Sequence, residues 1–193
     1  MALSDVLRTT LRVARILDSL GVDYFVGDSL ASSLHGIPRA TQDVDLVAAM
    51  TQNEVDGFVE ALGSDFYLDE EMIREAIRRG TSFNIIELET MFKVDVFVAR
   101  SDGVSQTEMM RRQAIQPGED PDETLMVATP EDIILQKLAW YQLGDEVSER
   151  QWLDALGVLK VQGSRLDKSY LQKTADLMGV AGLLRRALIE MKR

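Results

Sequence analysis

Cysteine is absent from the 193-residue sequence, and histidine occurs only once. Without a thiol the chain cannot form a disulfide, a zinc-thiolate site or a cysteine nucleophile. The absence of cysteine is also compatible with a reducing compartment, and we expect a cytoplasmic protein. The single histidine, His35, has no partner pattern typical of a catalytic site, and we interpret it as a helix-end or core residue.

Basic residues are fewer than acidic ones, since the sequence contains 21 Lys and Arg and 32 Asp and Glu, and its formal net charge is -11. A surface that binds duplex nucleic acid needs clustered Lys and Arg to neutralise the phosphates. The two arginine pairs, Arg111-Arg112 and Arg185-Arg186, are too short to supply one. Duplex nucleic acid is therefore not an expected partner.

Long hydrophobic runs are lacking as well. The N-terminal stretch MALSDVLRTTLRVARIL interrupts its apolar pattern with Asp5 and with arginines. It has neither the apolar centre of a signal peptide nor the length of a membrane span, so we expect no membrane association. The composition, 46% hydrophobic and 27% charged, is that of a globular protein with a sizeable core.

Hydrophobic periodicity predicts a chain of strands and helices, an α/β (α+β) pattern, in residues 1–128 and a helical C-terminal segment in residues 129–193. Thr129 is a good N-cap for this segment, and Pro130 suits the first helical position. Predicted strands occupy residues 24–26, 43–49, 82–88, 91–99 and about 125–128, and predicted helices occupy residues of about 4–20, 29–35, 51–62, 69–79, 130–143, 148–161, 167–178 and 180–191.

Two carboxylates, Asp43 and Asp45, alternate with apolar residues in one predicted strand. Because side chains in a strand alternate between faces, both point the same way, with Cα atoms roughly 7 Å apart. Their mutual repulsion favours a cation between them, and a divalent metal is the obvious occupant. Edge strands also carry exposed acids, so the pair alone is a weak signal.

A third carboxylate, Asp95, lies in the predicted strand 91–99. Val94, Val96 and Val98 share one face of this strand, so Asp95 lies on the other face with its alternate neighbours. A carboxylate at the middle of an apolar strand is costly unless it faces a site. Three oxygen ligands on strands suit Mg²⁺, or Mn²⁺, and such a site can hold two metal ions.

The order of these motifs resembles that of the DNA polymerase β-like nucleotidyltransferase superfamily. The shared pattern is a hydrophobic strand, a glycine-serine turn and, about ten residues later, Asp-x-Asp flanked by apolar residues. More narrowly, the chain is similar to AbiEii-type nucleotidyltransferases linked to toxin-antitoxin systems. The residues that carry this narrower resemblance are Ser29 to Ser33, Gly36, Pro38 to Thr41, Asp43 to Asp45, Thr129 to Asp132, Lys137, Arg150 and Asp154.

The resemblance implies a nucleotidyltransferase-like α/β (α+β) fold, with a small mixed sheet flanked by helices in residues 1–128. It also implies a Mg²⁺-dependent enzyme that moves a nucleoside monophosphate from an NTP to an acceptor hydroxyl. The acceptor would be a protein, a tRNA end or a small molecule. Asp43 and Asp45 would bind the metals, and Asp95 would bind the catalytic metal and act as, or beside, the general base. The residues that would bind the nucleotide are Gly27, Ser29, Arg39 and Lys137.

Each of these residues also has a plainer interpretation. Ser29 suits the N-cap of a short helix, Arg39 an exposed loop, and Lys137 a lysine extending from a helix border. Arg150 and Asp154 have the spacing of a helix-surface ion pair, or they orient groups near Lys137. The aromatic residues of the C-terminal segment are interpreted as packing between helices, although one ring could stack on a nucleobase; they are Trp140, Tyr141 and Trp152.

One residue departs from the family pattern, because Asp28 stands where glycine should precede Ser29. An acid there adds bulk and repels a triphosphate, unless Gly27 serves the turn instead. Two alternatives to an active enzyme follow. The chain could be a catalytically impaired interaction module with a partner protein in a toxin-antitoxin-type system, or a metal-binding structural domain. The net acidity favours a protein or a cationic small molecule over RNA as acceptor.

Overall fold

A computed structural model of the chain describes residues 3–39, 41, 43–118, 120 and 123–191. Ala40, which belongs to the predicted motif, lies outside the described residues. The strands are β1 (Tyr24–Val26), β2 (Asp43–Ala48), β3 (Phe66–Tyr67), β4 (Ser82–Glu87), β5 (Phe92–Val98), β6 (Gln113–Ile115) and β7 (Leu125–Val127). The helices are α1 (Leu3–Ser19), α2 (Asp28–His35), α3 (Val55–Leu62), α4 (Glu70–Arg79), α5 (Gly103–Arg111), α6 (Pro130–Leu143), α7 (Glu149–Gln162), α8 (Lys168–Leu177) and α9 (Ala181–Glu190).

Contacts divide the chain into two compact units. The first contains residues 1–27 and 40–127, and the second contains residues 28–39 and 128–193. The second unit starts its C-terminal part at Ala128, and it also includes helix α2, which the sequence analysis counts with the core. The described helices include none that is long and apolar enough to cross a membrane.

The first unit is built on a mixed sheet in the order β3-β4-β5-β2-β1-β7-β6. The pairs β2/β5 and β1/β7 are parallel, and the other neighbouring pairs are antiparallel. Alternate residues of the central strands, such as Val44, Leu46 and Val94, are fully buried. Helix α1 contacts β2 and β5, and α4 contacts β4. These contacts leave the polar residues of β2 and β5 on the other face of the sheet.

The second unit is helical. Helices α6 and α7 pack along each other, and α2 packs against both. Gly36, which follows α2, makes this close approach possible, because a Cβ atom there would lie 2.8 Å from the backbone nitrogen of Val158. The residues at this junction that are fully buried include Leu30, Ala31, Ile134, Leu138 and Val158.

The predicted elements are confirmed with four differences, one of which is the two-residue strand β3 (Phe66–Tyr67), which was not predicted. Helix α3 begins at Val55 rather than at residue 51, because Thr51 donates its backbone N–H and hydroxyl to the Glu54 carboxylate and forms a turn instead. Helix α5 and strand β6 were not predicted, since residues 103–115 have little apolar periodicity. Asp102 caps α5 by accepting from the N–H groups of Val104 and Ser105.

Candidate functional site

The three predicted metal ligands lie on one face of the sheet in the first unit. In the parallel pair β2/β5, Asp43 lies opposite Lys93 and Asp45 lies opposite Asp95. The strand alternation therefore confirms that Asp43, Asp45 and Asp95 share a face, which we call the acidic face. Thr41 also contacts this strand, since its hydroxyl donates to the Asp43 carbonyl at 2.9 Å.

A lysine belongs to the acidic face as well. Lys93 Nζ lies 2.6 Å from Asp95 Oδ2. The hydrogen bond to Asp95 raises the pKa of Lys93, and the negative charges of Asp43 and Asp45 raise it further. Lys93 is thus a cation that is paired with Asp95 and lies in the field of the other two carboxylates. Sequence reasoning missed this role, although the i, i+2 spacing of Lys93 and Asp95 was the signal that could have revealed it.

The acidic face suits a hard cation in its chemistry, since Mg²⁺ binds through one or two carboxylates and completes its shell with water and phosphate oxygens. Asp43 and Asp45 supply such a pair. Among the described residues, no three His, Cys, Asp or Glu side chains are grouped so as to hold a metal ion.

In the predicted glycine-serine turn, Asp28 occupies the position before Ser29 at which the family pattern has glycine. Its φ is +39°, in the left-handed region that favours glycine. Gly27 does not take over this role, because its N–H donates to the Asp45 carbonyl at 2.9 Å and extends the pairing of β1 with β2. The alternative in which Gly27 serves the turn in place of Asp28 is therefore wrong, and the role of Gly27 in nucleotide binding stays a prediction.

Ser29 lies within the first turn of α2, and its side chain is buried. Its hydroxyl oxygen accepts from Arg39 Nη2 at 2.6 Å and from Arg150 Nη2 at 2.8 Å. The hydroxyl is thus engaged by two guanidinium groups, so the N-cap interpretation is wrong. A neutral oxygen that receives two charged donors is placed as an anionic oxygen would be.

Arg39 is held by a carboxylate of α7. Its Nε and Nη2 donate to the two oxygens of Asp154, each at 2.9 Å. This bidentate pair fixes the plane of the guanidinium, and the side chain is only 26% exposed. The interpretation of Arg39 as an exposed loop residue is therefore wrong.

Lys137 has no exposed side-chain surface. Its ammonium forms ion pairs with Asp28 and with Asp154 Oδ2, the latter at 2.9 Å. The interpretation of Lys137 as a lysine that extends from the helix border to solvent is therefore wrong. Burial alone would raise the pKa of Asp154, but the hydrogen bonds from Arg39 and Lys137 outweigh it and lower the pKa below its ordinary value.

Arg150 and Asp154 do not form the ion pair that their spacing suggests. Asp154 instead binds Arg39 and Lys137, and Arg150 donates to Ser29. The alternative, an orienting role near Lys137, matches the contacts of Asp154. Arg150 was not predicted to bind the nucleotide. Within the described part of the chain, no carboxylate pairs with its guanidinium group. We call the set Ser29, Arg39, Lys137, Arg150, Asp28 and Asp154 the Ser29 cluster.

The interpretations of His35 and of two aromatic residues are confirmed. His35 ends α2, its Nε2 lies 2.8 Å from the Ala128 carbonyl, and burial lowers its pKa. Tyr141 and Trp152 pack with ring centroids 5.2 Å apart. Trp140 is 54% exposed, so its assignment to the interior packing is wrong.

Comparison of the sequence with models of protein families and with curated proteins finds no match. Its structure is similar to that of an antigenic nucleotidyltransferase-like protein from Paracoccidioides brasiliensis, with 19% identity and a TM-score of 0.59 over 97% of this chain and 94% of that one. The structure of ANT(2")-Ia in complex with adenylyl-2"-tobramycin gives 13% identity and a TM-score of 0.58 over 94% of this chain and 99% of that one.

A candidate nucleotidyltransferase from Thermotoga maritima gives 14% identity and a TM-score of 0.50 over 80% of this chain and 96% of that one. At these identities the similarity concerns the fold. The chain has a nucleotidyltransferase-like fold, and the fold class predicted from the sequence is confirmed.

Proposed function

We propose that the chain is a Mg²⁺-dependent nucleotidyltransferase that moves a nucleoside monophosphate from an NTP to an acceptor hydroxyl. The observation that carries the proposal is the Ser29 cluster. It gathers Ser29, Arg39 and Lys137 in one unit, although Arg39 and Lys137 are far apart in the sequence. The acidic face and the fold give independent support.

In this reaction the acceptor oxygen forms a bond to the α-phosphorus of the NTP. The bond between the α-phosphorus and the bridging oxygen breaks, and pyrophosphate leaves with that electron pair. Asp95 would receive the proton of the acceptor hydroxyl. Asp43 and Asp45 would hold Mg²⁺, which supplies neutralisation of negative charge on the phosphates when bound.

The Ser29 cluster would bind phosphate oxygens. Arg39 is already fixed by its two hydrogen bonds to Asp154, so its positive charge would be presented to a phosphate with little loss of conformational entropy. Arg150 and Ser29 provide further donors beside it. Lys137 would add charge, provided that the Asp28 carboxylate moves away from it.

Calorimetry with each NTP and Mg²⁺ tests the proposal. We expect the natural chain to bind an NTP, and the variant Asp43→Asn with Asp45→Asn to lose the Mg²⁺-dependent part of that binding. Transfer of label from an α-labelled NTP to a cell extract would then identify the acceptor. Equal NTP binding by the double variant, with and without Mg²⁺, would contradict the role of these carboxylates.

The pairing of Asp28 with Lys137 favours a second candidate function. In that case the chain is a catalytically impaired interaction module that keeps the fold and binds a partner protein, as the narrower AbiEii-type resemblance suggests. It predicts no NTP binding by the natural chain and restored binding by Asp28→Gly. A purely structural metal-binding domain instead predicts affinity for Mg²⁺ without any for an NTP, whether or not Asp28 is present.

The net charge of the chain is the basis for our proposal about the chemical class of the acceptor. With a net charge of -11 the protein attracts cationic molecules, so a protein segment or a small molecule with amino groups is favoured over RNA. The fold neighbour ANT(2")-Ia was solved with an adenylylated tobramycin, which is consistent with a small-molecule acceptor. The labelling experiment separates these classes by the size of the labelled product.

A further inference from the structure

The positive charges of the Ser29 cluster are not equally balanced. Arg39 donates to both oxygens of Asp154, and Lys137 pairs with Asp154 and with Asp28. These contacts engage both carboxylates of the cluster. Among the described residues, the third cation, Arg150, pairs with neither of them, so the excess positive charge of the cluster lies on its guanidinium.

The contact that Arg150 does make is to a neutral group. Its Nη2 donates at 2.8 Å to the hydroxyl oxygen of Ser29. This bond uses one donor of a planar fork that carries five. Arg150 is also an exposed residue, whereas the side chain of Arg39 is 26% exposed and that of Lys137 has no exposed surface. Arg150 is therefore the cation of the cluster that solvent reaches most readily.

The position of Arg150 in α7 also favours an anionic ligand. Arg150 is the second residue of the helix, at the end where the helix dipole is positive, and the side chain of Ser148 forms no capping hydrogen bond there. A cation at this end of a helix is unfavourable by itself, and an anion is favourable. The neighbouring Glu149 is exposed, and residues at i and i+1 do not face each other on a helix.

The phosphates of an NTP differ in charge. At neutral pH a terminal phosphate carries nearly two negative charges, because its second pKa is about 6. Each internal phosphate has a single ionisable oxygen and carries one. Arg39 and Lys137, which carboxylates already balance, match the singly charged phosphates. The unbalanced charge of Arg150 matches the terminal one.

We propose that Arg150 recognises the terminal phosphate and makes the protein select ligands that end in a doubly charged phosphate. The inference rests on the proposed function, because it concerns the NTP of the proposed reaction. The planar guanidinium suits this role, since arginine binds phosphate through two parallel N–H···O bonds. Arg150 is thus a specificity-determining residue of the Ser29 cluster.

Calorimetry with two inorganic probes, without metal or nucleotide, tests the proposal. Linear triphosphate ends in doubly charged phosphates, whereas cyclic trimetaphosphate has three singly charged phosphates and no terminus. We expect the natural chain to bind the linear probe about tenfold more tightly than the cyclic one. Arg150→Gln should weaken binding of the linear probe by about tenfold, because hydrogen bonds between charged groups are lost, and should change binding of the cyclic probe by less than about threefold.

Arg165→Gln is the matched control. It removes the same charge from an exposed position beyond the other end of α7, where the guanidinium donates to the Val161 carbonyl. Both affinities should stay within about twofold of those of the natural chain, since an exposed charge is screened. Arg150→Lys keeps the charge without the planar fork and should recover only part of the preference for the linear probe. Thermal unfolding verifies the fold of each variant.

Equal weakening of both probes by Arg150→Gln, or unchanged binding of the linear probe, would overturn the role of Arg150 while the proposed function stands. Failure of the natural chain to bind either probe would overturn the inference as well. Binding of an NTP with Mg²⁺, which is measured separately, then shows whether the proposed function fails with it.

Discussion

Two carboxylates, Asp28 and Asp154, share the buried ammonium of Lys137. We predict that Asp28→Asn raises the affinity of the protein for inorganic triphosphate by about tenfold, because loss of one half-buried negative charge beside the anion site is worth about 1.4 kcal/mol. Asparagine is the matched substitution, since it keeps the size of the side chain and tolerates the positive φ of this position. Isothermal titration calorimetry measures the change.

The control for this prediction is Asp176→Asn, which removes the same charge from an exposed position of α8. It should leave the affinity for triphosphate unchanged within about twofold, as expected for a screened surface charge. If Asp28→Asn and Asp176→Asn have the same affinity as the natural chain, then Asp28 does not restrict the anion site.

Contacts between residues that are far apart in the sequence could not be predicted from the sequence. The charge of Asp28 was visible in the sequence, but its pairing with Lys137 was not, because the two residues are 109 positions apart. In the same way the i, i+4 spacing predicted a pair of Arg150 with Asp154. Asp154 pairs instead with Arg39, which is 115 positions from it in the sequence. The planar guanidinium of Arg39 matches the geometry of the carboxylate.

Helix α6 carries Lys137, so the stability of its first turn matters to the Ser29 cluster. Thr129 accepts from the N–H of Asp132 at 3.2 Å and is buried. We predict that Thr129→Ala lowers the free energy of unfolding by about 1 to 2 kcal/mol, because the cap is lost and the N–H of Asp132 lacks its partner. Denaturation with urea, followed by circular dichroism, measures the loss.

Ser148 provides the matched control at the start of α7, since it has the position of an N-cap but its side chain accepts no capping hydrogen bond. Ser148→Ala should therefore change the free energy of unfolding by less than about 0.5 kcal/mol. Equal losses in both variants would mean that the capping bond at Thr129 contributes nothing measurable.

The helices and strands that could be predicted from the sequence are the ones with strong local signals. Thr129 and Pro130 predicted the start of α6, and alternation predicted which residues of β5 share the face of Asp95. Helix α5 was missed because its residues are mostly polar, and its cap at Asp102 is an isolated signal. The assignment of α2 to the second unit depends on packing against α6 and α7, which no local pattern contains.

The whole chain has a net charge of -11, whereas the Ser29 cluster contains one more cation than carboxylate. Long-range repulsion from the chain therefore opposes the approach of an anionic NTP, and short-range attraction acts only after it has arrived. The two effects differ in their dependence on salt, because screening weakens the long-range term first.

We predict that the association rate of an NTP rises severalfold as ionic strength increases from about 0.01 to 0.15 M, where the Debye length falls from about 30 to 8 Å. Stopped-flow fluorescence with a labelled NTP measures the rate on the natural chain and on Asp28→Asn, which has a stronger anion site if the triphosphate prediction holds. A neutral nucleoside with the same label is the control, and its rate should not depend on salt. A rate for the NTP that falls as salt is added would show instead that the local positive field of the Ser29 cluster extends beyond the protein surface and governs the encounter.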